Sequence, residues 1–182
     1  MNKSILFVLT VIISTLSFAQ KKELRAADKA IKSNNYAEAK AALNQAKAMM
    51  SQMDDKQKSQ YHLLMAEALY ANGTASSADL NAAIDYLNDV GAEYNSESAT
   101  LRQTMENDLL TQANSSYTAG NYTEAATKFE QLYQVKPSDT TYLYYSAVSS
   151  VSAQDYEKAV NNYVKLNELG YTGQVKELSL IH

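Results

Sequence analysis

One phrase is written twice in this chain at a fixed interval. GNYTEAATKFEQLYQVKP, Gly120 to Pro137, is followed by QDYEKAVNNYVKLNELG, Gln154 to Gly170, so that Tyr122, Ala125, Phe129 and Leu132 recur 34 residues later as Tyr156, Ala159, Tyr163 and Leu166. Fainter copies lie upstream. NNYAEAKAALNQA carries Tyr36, Ala39, Leu43 and Ala46, and ADLNAAIDYLNDV carries Leu80, Ala83, Leu87 and Val90, at the same relative positions. A period of this length means one supersecondary unit that cannot bury its apolar face alone and therefore stacks on its neighbours.

Inside each unit apolar residues recur every three or four positions, which predicts helices rather than strands. The expected helices span residues 22–33, 36–53, 56–72, 78–91, 98–118, 122–135, 139–153 and 156–169. Cap chemistry supports the boundaries. Asn35 with Glu38 and Asn121 with Glu124 have the spacing that satisfies free amides at a helix start, and Ser138 and Asp155 are suited to open the last two helices. Nine residues before the aromatic of three copies stands a small residue, Ala27, Ala113 or Ala147. In the second copy five extra residues, placed within 74–78, move the matching Ala66 further upstream.

These residues resemble tetratricopeptide (TPR) repeats. The third and fourth copies match best, with Gly120 at the turn and Pro137 closing the third unit; the first and second lack the proline, and the second lacks the aromatic. The resemblance implies an all-α fold: a TPR-like superhelical array of about four helix-turn-helix hairpins, a right-handed α-solenoid, over residues 20–171. The repeats fall at about 22–54, 56–92, 98–137 and 138–170. The repeat core is then Tyr36 and Ala39, Leu80 and Ala83, Tyr122, Ala125 and Phe129, and Tyr156, Ala159 and Tyr163. Residues 172–182 form a short tail, or a weak capping helix carrying Val175, Leu178 and Ile181. Alternatively the chain is the front part of a longer array, and a face near Tyr163 and Leu166 is then left open to self-association.

The first residues read as an address. Lys3 gives a basic start, Ile5 to Leu16 is mostly apolar, and Ser17-Phe18-Ala19 places small residues before a cleavage point at Gln20, the build of a signal peptide spanning 1–19. The apolar run from Ile5 to Phe18 is shorter than the roughly 20 residues of a membrane span, so no stable membrane insertion is expected after cleavage. Export to the periplasm is the first expectation, with secretion or association with the outer membrane as the other destinations. The start of the chain and the phrase LNELGYTG also resemble exported TPR proteins of Bacteroidetes-type Gram-negative bacteria.

Charge and composition narrow the function. The formal net charge is −4, and it becomes one unit more negative when Lys3 is lost. Without a run of Lys or Arg, nucleic acid is not an expected partner, because such binding draws on phosphate neutralisation. There is no cysteine, so disulfides, thiol nucleophiles and zinc–thiolate sites are absent. Histidine is limited to His62 and His182; a Ser-His-Asp site needs an imidazole positioned with two partners, and His62, within HLLMAEAL, reads as a helix residue near the surface. Asp85 and Asp89 share a helix face as a solvated pair. No catalytic residue, cofactor or metal ligand set is expected.

Tyrosine is the abundant aromatic, 14 residues. The TPR resemblance implies that Tyr70, Tyr117 and Tyr144 lie where first helices face the groove, with Asp28, Glu67, Asn114 and Val148 beside them. Each of these rings has two places open to it, the groove or the packing between repeats. On the groove they would offer large contact area and a hydroxyl at low entropic cost. Asn114 has no basic companions, so a clamp for a peptide's terminal carboxylate is not expected. The reading is a non-enzymatic scaffold of the cell envelope binding a protein or peptide partner on the concave groove. The alternative is a small-ligand or glycan binder whose tyrosines stack on sugar rings.

Overall fold

The computed structural model describes residues 19–171. Residues 1–18 of the expected signal peptide and the whole 172–182 tail lie outside the described residues. Within them the chain forms eight α-helices joined by short turns, with no strand. They are α1 (19–32), α2 (Tyr36–Lys47), α3 (Asp55–Tyr70), α4 (Ser77–Asn88), α5 (Asn95–Thr118), α6 (Tyr122–Val135), α7 (Thr140–Ser152) and α8 (Tyr156–Glu168). The fold is all-α and TPR-like. It divides inside α5, between Leu101 and Arg102, into two compact units.

Small residues set the hairpins. Ala27, Ala66, Ala113 and Ala147 on the first helices are fully buried, as are Ala39, Ala83 and Ala125 on the second; Ala159 is 2% exposed. With only a methyl group between them, paired helices come close enough for Leu43, Leu87, Phe129, Leu132 and Leu166 to be buried beside them. In the first unit α3 packs on both α2 and α4; in the second α7 packs on both α6 and α8.

The turns share one stop signal. After α1, α5, α7 and α8 a single residue takes a left-handed backbone: Asn34 (φ 56°), Gly120 (φ 78°), Gln154 (φ 61°) and Gly170 (φ 70°). The next amide then bonds back five residues, from Asn35 to Ala30 O (2.8 Å), Asn121 to Ser116 O (2.8 Å), Asp155 to Ser150 O (2.9 Å) and Tyr171 to Leu166 O (3.0 Å). This is the Schellman closure, which satisfies carbonyls left free at a helix end. The second hairpin differs. Its turn covers residues 71–76, including the 3-10 segment Ala71–Gly73, and α4 begins one turn ahead of Leu80. The five extra residues are therefore divided between the turn and the start of α4.

Several boundaries differ from the sequence reading. The expected helix 36–53 ends at Lys47 and continues only as a 3-10 turn, Met50–Gln52, before Asp54 and Gln57 close a capping box on α3. Asn35 caps α2 and Asp155 caps α8 as expected, but the Asn121 side chain makes no cap bond. The cap of α7 is Asp139, accepting from Thr141 N at 3.1 Å, rather than Ser138.

Some repeat-core positions are also less buried than expected. Tyr36, Tyr122 and Tyr163 are half-buried, and Tyr156 is 62% exposed. The cause for Tyr156 is that no further helix among the described residues covers that side of α8. The open stripe there is Tyr156, Val160 and Val164, one residue per turn, whereas Leu166 faces inward and is fully buried.

Gln154 is a side-chain-bearing residue in a conformation that costs L residues roughly 1–2 kcal/mol. Gln154→Gly is expected to raise unfolding free energy by about 0.5–1 kcal/mol, after the glycine's own entropic penalty. Urea denaturation of the two proteins checks this; unchanged or lower stability would show that the turn is unstrained.

Candidate partner-binding groove

In the second unit α5 is fixed against the α6–α7 turn by polar groups. Glu106 accepts hydrogen bonds from Lys136 Nζ (2.8 Å) and the Tyr142 hydroxyl (2.7 Å), and Arg102 donates to Val135 O (3.2 Å). Burial by itself would push the Glu106 carboxyl up; the Lys136 and Tyr142 hydrogen bonds outweigh it and hold the group below the usual carboxylate range. A buried polar bridge ties the other helices together. Ser146 on α7 donates to Ala126 O on α6 (2.8 Å) and accepts from Asn162 Nδ2 on α8 (3.0 Å).

α5, α6 and α7 also line a cavity of about 480 Å³. α5 supplies Leu110, Asn114 and Tyr117, α6 supplies Phe129, and α7 supplies Tyr144, Tyr145 and Val148. The rings support one another. Tyr145 leans on Phe129 (centroids 5.3 Å apart) and meets Tyr144 at 5.7 Å; Tyr144 stacks on Tyr171 at 5.9 Å; Tyr117 sets its edge against Tyr122 at 5.2 Å. Tyr145 is 46% and Tyr117 38% exposed, so the rim is open to solvent. Four of the seven groove residues named from the sequence, Asn114, Tyr117, Tyr144 and Val148, thus share one pocket.

Residues 110–165 match the family model of the tetratricopeptide repeat. The matched TPR segment opens at the pocket residue Leu110 and closes in α8, so it contains all seven lining residues. No curated protein and no solved structure matches the chain.

The other three predicted groove residues lie in the first unit and behave differently. Tyr70 is 4% exposed: its ring occupies the packing rather than a groove. Asp28 pairs with Lys32 at 2.7 Å. Glu67 is half-buried and its carboxyl is pushed up, first by burial and then by the charges of Asp28 and Glu97, with Lys32 acting in the opposite sense. Asp28 and Glu67 are carboxylates, unlike the uncharged side chains that line the pocket of the second unit.

Sequence reasoning missed Tyr145 and Leu110 as groove residues and placed Phe129 only in the core. The doublet Tyr144-Tyr145 was the available signal, because adjacent helical residues point about 100° apart and both remain against the same cleft only if it is wide. His62 is half-buried in the first unit, its Nδ1 2.9 Å from Asp89 O, a link between α3 and the end of α4. Among the described residues no group of three or more acidic or histidine side chains is placed to hold a metal ion, and no helix is long and apolar enough to cross a membrane.

The raised Glu67 carboxyl has a definite consequence for stability. A carboxyl whose folded pKa lies above its unfolded value stabilises the fold only at low pH, and that contribution is lost as pH rises through the folded pKa. Glu67→Gln is therefore expected to raise Tm at neutral pH, and the gain should shrink to nothing as acid protonates the wild-type side chain. Melting curves of both proteins across the acid range test it; a gain independent of pH would contradict this origin.

Proposed function

We propose that this protein is a non-enzymatic interaction scaffold of the cell envelope, holding a protein or peptide partner on the TPR groove of its second unit. TPR repeats in general mediate protein–protein interaction. The observation that carries the reading is the convergence of Asn114, Tyr117, Tyr144 and Val148, all first-helix positions, on one open pocket. A large apolar cleft with a few polar groups is the usual form of a binding site, and tyrosines at its rim are the side chains most often found in binding hot spots. The envelope assignment is supported by the basic start, apolar run and small-residue cleavage point of residues 1–19.

A glycan reading has less support. Sugar hydroxyls need several hydrogen-bond partners, and apart from the tyrosyl hydroxyls the lining offers only the Asn114 amide. One face of Tyr144 is also already covered by Tyr171.

Two measurements test the proposal. A photo-crosslinking residue at position 145 is expected to give a discrete protein adduct in the producing cell, while the same group at Glu124, an exposed residue of α6, gives none. Equal labelling at both positions, or none at either, would remove the groove from consideration. Separately, the protein recovered from the envelope fraction should begin at Gln20 by mass spectrometry; a cytoplasmic product retaining Met1 would overturn the assignment to the envelope.

A further inference from the structure

The geometry points to a specific anchor for this pocket: one bulky uncharged side chain, aromatic before aliphatic, presented by a peptide segment whose backbone stays at the rim. The inference rests on the groove reading above and names the chemistry of what enters.

Charge is the first argument. None of the seven lining side chains is an acid or a base of the Asp, Glu, His, Lys or Arg type. A carboxylate or ammonium entering this cleft would leave water with no opposite charge to meet it, which is strongly unfavourable. An apolar anchor has no such penalty and gains from the surface it removes from water.

Size is the second. The cleft holds about 480 Å³, within the roughly 300–1,000 Å³ usual for pockets that take a compact ligand. One large side chain fits within that volume. Asn114, exposed at the edge, can both donate and accept, and so suits a peptide group passing over the mouth.

Ring geometry is the third, and it ranks aromatic above aliphatic. Aromatic pairs in edge-to-face or offset arrangements are favoured beyond their area burial, and four of the lining residues are rings. Tyr145 is braced by Phe129, which is only 3% exposed, and Tyr144 by Tyr171. Walls held in place before the anchor arrives leave less side-chain entropy to lose on binding.

The test uses the full mature chain, residues 20–182, against a displayed library of random peptides, followed by a guest series in which the shared anchor of the best binder becomes Phe, Leu, Ala, Asp or Lys. Selected peptides are expected to share an uncharged aromatic or large aliphatic residue at one position. Affinity should follow Phe, then Leu, then Ala, with Asp and Lys weakest and about tenfold or more separating Phe from Ala. Val148→Trp, which fills the cleft, and Tyr145→Ala, which removes an exposed wall, should each weaken the Phe peptide about tenfold while leaving the helical circular dichroism intact. If Val148→Trp fails to fold, Tyr145→Ala carries the comparison. Selection of peptides with a charged anchor, or binding unmoved by both variants, overturns this inference and leaves the wider groove reading standing. No enriched peptide at all removes that reading, and the anchor with it. Binding on a glycan array that Val148→Trp abolishes would overturn both.

Discussion

The close approach of two helices at an alanine is the constraint on which the second unit depends. Ala113 and Ala125 are fully buried in one hairpin, and Ala147 with Ala159 takes the same place in the next. Because each alanine fixes which face of its helix turns inward, its neighbours are fixed as well. Asn114 follows Ala113 and Val148 follows Ala147, while Tyr117 and Tyr144 stand four residues after and three before their alanines, within one helical turn of the same face. The pocket is thus a by-product of packing at a small residue. Larger side chains at these alanines would force the helices apart at a cost of about 1–3 kcal/mol, and they would displace the pocket walls at the same time.

Polar groups then lock what the alanines bring together. The Ser146 hydroxyl joins α6, α7 and α8 through Ala126 O and Asn162 Nδ2, and all of these groups are buried. A hydrogen bond of this kind contributes little on balance, yet losing one partner strands the others without water. On α5, Glu106 gathers Lys136 and Tyr142. The Glu106 tie opposes sliding of α5 against α7, and the Ser146 tie opposes sliding of α6, α7 and α8 along one another. The rim rings of the cleft are braced by Phe129, Tyr122 and Tyr171.

The same repeat frame carries opposite chemistry in the two units. In the first, burial and then the charges of Asp28 and Glu97 raise the Glu67 carboxyl. The second presents rings and one amide. Repeats conserve the residues that pack and leave the solvent-facing positions free to differ, so function resides in those positions and not in the fold.

How much was legible follows from the same division. The 34-residue phrase, its alanines and the Asp155 cap located the hairpins, because periodicity and cap chemistry are local properties that a linear reading captures. The left-handed stop at Gln154 was not legible, since only the surrounding turn forces that backbone on a residue other than glycine. Nor could a linear reading tell that Tyr70 is packed away while Tyr117, on the equivalent face, remains open. Asn121 stands at the start of α6 without a side-chain cap bond, and Asp139 rather than Ser138 caps α7. The sequence by itself determined the helices, their pairing and the absence of thiol chemistry, for these depend on spacing and composition. Only the tertiary structure decided which tyrosines meet to form a cleft and which are buried, because that depends on how neighbouring helices cover one another.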